Sequence, residues 1–221
     1  MPSRLPLFPL PTVLFPGTPL PLHIFEPRYR TMLADCMEGD RRFGITPLRE
    51  EGAPPTPGTI GCAAEVRLNQ ELPDGGSNIV VLGAERFVVA AILDEGTPYY
   101  VATVQPFDDH PGTTPDEERT ARLREQFTRY ATLVRELSDV QAQDIELPDD
   151  PRELSFQVAA GIELEPEIKQ RLLVERSTAR RVEAMLLVLP ALTAAVEHAL
   201  VVHRRAHGNG RGHAHPGIPP A

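Results

Sequence analysis

Residues 5–45 (LPLFPLPTVLFPGTPLPLHIFEPRYRTMLADCMEGDRRFGI) carry seven prolines, at positions 6, 9, 11, 16, 19, 21 and 27. They are interleaved with Leu5, Leu7, Phe8, Leu10, Val13, Leu14, Phe15, Leu20, Leu22, Ile24 and Phe25. Proline has no N–H and clashes with the preceding helical turn, and it cannot donate to a strand ladder. Helices and long central strands are therefore excluded over 5–25. Short strands that begin or end at bulges and turns, with large apolar side chains turned inward, remain. At Glu26-Pro27-Arg28-Tyr29-Arg30 the pattern changes, because Tyr29, Met32, Leu33 and Cys36 recur at helical spacing. The spacing predicts a helix over 26–38, with Pro27 in its first turn, where the missing N–H has no partner to lose. Gly39 is expected to close it.

The rest of the chain divides by period. Residues 42–47, 59–68, 79–82, 86–93 and 99–107 read as strands, with a bulge or bend at 83–85. Residues 50–58 read as loop, and Pro73-Asp74-Gly75-Gly76 supplies a hairpin turn. Six to eight short strands and one helix suggest a small closed or half-closed barrel. From 114 onward the period is helical. Thr114-Pro115-Asp116-Glu117 reads as a capping box with Thr114 at the cap, and Leu123, Phe127, Tyr130, Val134 and Leu137 form one face up to Ser138. Asp150 caps a second helix that ends near Gly161, and residues 166–175 form a third. Ser177 caps a fourth, which Pro190 is expected to kink or end before a last segment reaches 205. The fold class is α+β: a β-rich unit over 1–113, a helical bundle over 114–205, and a disordered tail over 206–221 (AHGNGRGHAHPGIPPA).

Composition narrows the function. The 221 residues are 41% hydrophobic and 24% charged, as expected of a soluble globular chain with a sizeable core. A net charge of −9 disfavours nucleic acid as the main partner. No signal peptide is visible, and the longest uncharged apolar stretch, 184–196, is broken by Pro190. It falls short of the roughly 20 residues that span a bilayer, so a cytoplasmic protein is expected. Cys36 and Cys62 lie far apart and read as buried free thiols.

Catalytic and metal signatures are lacking. Lys169 is the only lysine among 22 basic residues and follows no glycine loop, which excludes a Walker A phosphate cradle. A Ser-Lys pair would have to join Lys169 to Ser177, itself a good helix cap. There is no GxSxG and no HExxH. His23 lies in an apolar strand and His110 in a loop. His198, His203, His207, His213 and His215 invite a metal reading, but glycine and proline leave the outer ones without fixed geometry. No enzyme activity, cofactor or metal is expected.

The opening stretch, LPLFPLPTVLFPGTPLPLHIFEPRYRTML, resembles the start of the N-terminal domain of the Lon protease family. Further matches are Arg42-Phe43-Gly44-Ile45, Gly58-Thr59-Ile60-Gly61-Cys62-Ala63-Ala64 and Gly83-Ala84-Glu85-Arg86-Phe87. The resemblance runs from about Leu5 to about Leu189. It implies a PUA-like pseudobarrel followed by a helical bundle, and a role in binding protein substrates. The expected protein is a stand-alone substrate-binding domain without the family's ATPase and protease domains.

Three functions are carried forward. The first is a polypeptide-binding module with an apolar groove between barrel and bundle or a strand edge open to augmentation. Its candidate contacts are Phe15, Phe25, Tyr99 and Tyr100. The second is a small-molecule or enzymatic pocket using His23, Glu26 or Cys36. The third is a structural adaptor for a separately encoded protease or chaperone. Glu26, Arg28 and Arg86 form a candidate structural polar cluster, in which Glu26 is expected to pair with Arg86 or Arg28.

Overall fold

A computed structural model describes residues 3–49, 53–139 and 145–209, with side chains up to 204. Six strands precede most of the helical mass: β1 (Ser3–Leu10), β2 (Pro19–Ile24), β3 (Arg42–Pro47), β4 (Ile60–Glu71), β5 (Ser77–Leu93) and β6 (Tyr100–Pro106). Helix α1 (Pro27–Glu38) lies between β2 and β3. Then follow α2 (Glu117–Leu137), α3 (Pro151–Gly161), α4 (Pro166–Val174) and α5 (Thr178–Asn209). The α+β class and the order of its two parts match expectation.

The sheet runs β2-β5-β4-β3-β1-β6, and an added β5–β6 pairing closes it into a barrel that leaves β2 outside the closure. β5 makes this possible because it serves two neighbours in turn. Its first half pairs with β2 from Ser77 to Leu82, and its second half pairs with β6 from Phe87 to Leu93. The two short strands expected at 79–82 and 86–93 are thus one 17-residue strand. The bend expected between them is a bulge: Cys62 faces Arg86 and Ala64 faces Gly83, three steps on β5 against two on β4. At this bend the loop before β2 closes onto β5, with Gly17 N–H donating to Gly83 O at 2.8 Å and Gly83 N–H to Thr18 O at 2.9 Å. A Cβ on Gly83 would overlap the carbonyl oxygen of Phe15.

The prolines of β1 sit where ladders end. β1 pairs in parallel with β3 only from Leu7 onward, and antiparallel with β6 only up to Leu7. Pro6 and Pro9 are three residues apart and so turn their nitrogens to opposite sides. Pro6 facing β3 before that pairing starts, and Pro9 facing β6 after that pairing stops, leaves no ladder bond unmade. A strand between two neighbours thereby tolerates two prolines.

Helix α1 buries Tyr29, Met32, Leu33 and Cys36 on the barrel, as its spacing requires. Its end differs in detail from expectation. Gly39 has φ −104°, and the left-handed residue is Arg41, at φ 60°. In α2 the cap is Asp116 rather than Thr114: its carboxylate accepts from Arg119 N at 2.8 Å and faces the positive end of the helix. Asp150 caps α3 the same way at 2.9 Å, and Ser177 Oγ accepts from Arg180 N at 3.3 Å at the start of α5.

α5 does not end at Pro190. It runs unbroken to Asn209, because Met185 and Leu189 before the proline and Thr193 and Leu200 after it are buried on one side of the helix. Packing on both flanks outweighs one missing hydrogen bond. The helix is long and apolar enough over Thr178–Arg204, by length and composition, to cross a membrane. The uncharged stretch 184–196 did not reach that length because it ends before Glu197. The helical part also passes the expected boundary at 205, and residues 210–221 lie outside the described residues.

Three apolar clusters organise the molecule. One joins the barrel wall to α1 through Phe8, Met32, Phe43 and Val101, and a second fills the barrel with Leu5, Leu7, Phe87 and Val89. The third is the bundle core, and Phe15 belongs to it, its ring centroid 6.2 Å from that of Phe156. The loop between β1 and β2 therefore plugs one barrel side chain into the bundle. Replacing Gly83 by alanine pushes this loop off β5. It is expected to cost about 1–3 kcal/mol in urea unfolding, and an unchanged midpoint would refute the account of the bend.

Candidate binding groove

Phe25 follows β2 and is 63% exposed, unusual for a phenylalanine. Its ring stacks on His23 at 5.6 Å between centroids and 20° between planes, and His23 Nδ1 lies 2.9 Å from Asn78 Oδ1. Beside it Arg28 donates from Nε to Glu26 Oε2 at 3.0 Å and lies over the Tyr29 ring at 4.5 Å. His23, Phe25, Glu26, Arg28 and Tyr29, with Leu10, Pro11, Leu48 and Tyr100, line a cleft of about 250 Å³. Leu10, Pro11 and Leu48 also line a wider cleft of about 690 Å³ between the barrel and α4, whose far wall includes Pro166, Gln170 and Val174. Gln170, Arg171 and Val174 are shared in turn with a depression of about 720 Å³ that adds His110, Arg176 and Arg180. The three form one groove, apolar at the Phe25 end and arginine-rich at the α5 end.

The four candidate contacts separate cleanly. Phe25 and Tyr100 line the groove. Phe15 is fully buried in the bundle core, and Tyr99 is buried with its hydroxyl donating to Asp35 Oδ2 at 2.5 Å. Burial first, then the Asp35 carboxylate, pushes Tyr99 up to about 12, so it stays a neutral phenol. Tyr99 lies in the bend before β6 and Tyr100 opens the strand, and their side chains part at that junction, a distinction that the pair of letters does not carry.

The polar cluster divides too. Glu26 pairs with Arg28 at 2.8 Å, and both side chains are partly exposed, so the pair contributes at most about 1 kcal/mol. Arg86 is elsewhere. It is 1% exposed, forms an ion pair with Asp109, and donates from Nη1 to the carbonyls of Leu173 (2.6 Å) and Glu175 (2.9 Å) at the end of α4. Arg181 of α5 is fully buried and donates to the same carboxylate at 2.8 Å, to Glu175 O at 2.7 Å and to Ser155 Oγ at 2.8 Å. Thr178 Oγ1 donates to Asp109 Oδ2 at 2.8 Å. The Phe156 ring lies beneath both guanidiniums, at 4.0 Å from Arg181 and 5.1 Å from Arg86. Burial opposes the charge on Asp109, but the Arg181 hydrogen bonds and the two arginines outweigh it and hold the carboxyl below the ordinary range. Asp109 and Arg181 were not singled out from the sequence. The available signal was Arg181 itself, an arginine in register with the core-facing Met185 and Leu189.

These positions fix the groove. Arg86 ties β5 to the carbonyl end of α4, and Gln170 Nε2 donates to Ile60 O of β4 at 2.9 Å. The two walls of the wider cleft are thus joined by hydrogen bonds beneath its floor.

The residues weighed for chemistry have structural partners. Cys36 and Cys62 are buried, unpaired thiols, and burial pushes both up to about 12, so neither is a thiolate nucleophile at neutral pH. Cys36 Sγ donates to Arg42 O at 3.2 Å. Lys169 donates to Ala160 O at 2.9 Å, and Ser177 is occupied as a cap. Among the described residues no three of His, Cys, Asp and Glu are grouped to hold a metal. His213 and His215 lie outside the described residues.

A β-barrel followed by a helical bundle, with a groove between them, is the arrangement of this domain. The comparisons place it. The family model for the ATP-dependent protease La (LON) substrate-binding domain matches residues 4–190, and the chain belongs to that family. It is 29% identical over 193 residues to Lon protease 1 of Herpetosiphon aurantiacus, covering 78% of this chain and 24% of that one. It is 28% identical over 164 residues to the Lon protease of Flavobacterium johnsoniae, covering 72% of this chain and 19% of that one. The chain therefore spans about a quarter or less of the length of these relatives. Two solved structures share the fold. A Lon N-terminal domain protein from Xanthomonas campestris superposes with TM-score 0.60 at 24% identity, covering 84% of this chain and 98% of that one. The N-terminal domain of the Mycobacterium avium complex Lon protease gives 0.62 at 18%, covering 87% and 98%.

Asp109→Asn leaves two buried arginines facing a neutral amide. It is expected to cost about 3–5 kcal/mol in denaturant unfolding at neutral pH. The folded carboxyl titrates below its unfolded value of about 3.9, so its contribution is complete above that value and is lost as pH falls through the folded one. The variant should lack this part of the acid limb; parallel acid curves for wild type and variant would reject the assignment.

Proposed function

We propose that this chain is a non-catalytic polypeptide-recognition module that holds extended, apolar segments of client proteins along the groove. The observation that carries the reading is Phe25. A large ring held in the open at the mouth of an apolar cleft makes sense if a ligand completes its burial. Family membership supports the same role, since the matched family is a substrate-binding domain. The buried, protonated thiols and the occupied lysine favour binding over chemistry. The cleft beside His23 and Glu26, at about 250 Å³, lies below the range usual for small-molecule pockets and suits single side chains better than a metabolite. The client is accordingly an unfolded or extended polypeptide, and the link is to protein degradation or quality control in the cytoplasm, delivered to a protease or chaperone on a separate chain.

The test is binding of a fluorescein-labelled, reduced and carboxymethylated polypeptide, read by anisotropy. Phe25→Ala should weaken it by about tenfold or more, the scale of a lost aromatic anchor. The melting temperature should stay within a few degrees, because the ring is mostly exposed. Absence of binding at high micromolar concentration of the wild-type protein would sink the proposal.

A further inference from the structure

The sheet has two strand edges outside the barrel closure, and they differ in their backbone donors. β2 pairs only with β5. Gly83 N–H donates to Thr18 O, so Thr18, Leu20, Leu22 and Ile24 turn their backbone groups toward β5, and Pro19, Pro21 and His23 turn theirs away. Two of those three outward positions have no N–H, a known way of blunting an edge. β4 is different. It pairs with β3 only over Cys62–Glu65, and its last residues pair only with β5. Val66 N–H points away from β5, to Arg41 O at 2.9 Å, and Leu72 N–H points back into the hairpin, to Gly76 O at 2.9 Å. Between them the register shifts at Val66/Leu68, after which Asn69 and Glu71 face away from β5. Both retain N–H and C=O, and these four groups meet no partner among the described residues.

We propose that the outward edge of β4 at Asn69 and Glu71 accepts an extended polypeptide segment as an added strand. This rests on the polypeptide-recognition reading and adds to the groove a second contact on the other side of α1. The complementarity is one of partial charge, since alternating donors and acceptors on the edge match those of an extended backbone. Room exists, because a cavity of about 680 Å³ separates this edge from α1 and is lined by Arg30, Ala34, Met37 and Leu72. Side chains of the added strand alternate between Ala34 and Met37 on one face and Leu68, 65% exposed, on the other. Arg67 and Glu71, both exposed, put opposite charges beside the edge. They discourage apolar strands from pairing indiscriminately while leaving the backbone groups free. Main-chain pairing with little demand on sequence is what a binder of many clients requires.

The experiment uses the whole chain and a fluorescein-labelled Thr-Val repeat peptide of about eight residues. Asn69→Pro copies the device found on β2: it removes an outward N–H and no bond of the β4–β5 ladder. It should weaken peptide binding about tenfold, with the melting temperature within a few degrees of wild type. As a measurement that needs no variant, a peptide N-methylated on alternate residues keeps one free edge and should bind, whereas a peptide N-methylated throughout has no donor left and should lose at least tenfold. Equal affinity for both N-methyl peptides, or no effect of a folded Asn69→Pro, overturns the edge while the groove reading stands. No peptide binding at all overturns the edge, and the carboxymethylated polypeptide then decides the groove. A wild-type dimer that Asn69→Pro converts to monomer, with no peptide bound, assigns the edge to a second copy and overturns the proposal.

Discussion

Arg86 and Arg181, both with fully buried side chains, share a single carboxylate, Asp109, whose side chain is 10% exposed. Two buried cations against one anion would be strongly unfavourable by themselves. The excess is met by backbone: Leu173 O and Glu175 O, at the negative end of α4, accept from the two guanidiniums. The face of Phe156 supplies further negative potential. The contributors come from β5, the segment after β6, α3, the end of α4 and the start of α5. It joins barrel strand to bundle helices and so sets where the bundle sits on the barrel.

The groove depends on that placement. Its walls are β1 and the β3–β4 connection on one side and α4 on the other. α4 is held at its C-terminal end by Arg86 and along its length by Gln170 on Ile60 O. A cleft between two units bonded together beneath it is preformed, so a ligand meets little ordering cost. The loop carrying Phe15 adds an apolar lock to the same junction, since it leaves the barrel at β1 and buries its ring against Phe156. Phe25, ten residues on, is left outside.

The proline stretch shows how much was legible and why. That 5–25 would form short strands, and that a helix would begin at Pro27, followed from proline's missing donor and fixed φ. Where each proline faced did not, because facing is a property of pairing: Pro6 and Pro9 are harmless only through where β3 and β6 start and stop. The caps at Asp150 and Ser177 were readable because capping is local. Asp116 displaced Thr114 for an equally local reason, since a carboxylate three residues before Arg119 N serves the first turn directly. Pro190 does not end α5, one of the two outcomes its local cost suggested, because residues on both of its flanks are buried, which no local rule records. Among site residues, Phe25 and Tyr100 were separable from Phe15 and Tyr99 only once alternation and loop course were known. Of the two partners expected for Glu26, Arg28 is the one it meets; Arg86 pairs instead with Asp109, 23 residues away in a segment that reads as plain loop.

What the sequence determined by itself was most of the elements, the change from strand to helix near 114 and the family. All of these rest on short-range rules of proline, capping and periodicity, or on motif letters. The tertiary structure decided which aromatic rings are core and which line the groove, which carboxylate holds the buried arginines, and which strand edge keeps its donors. Each of these depends on what packs or pairs across the fold, and no local pattern records that.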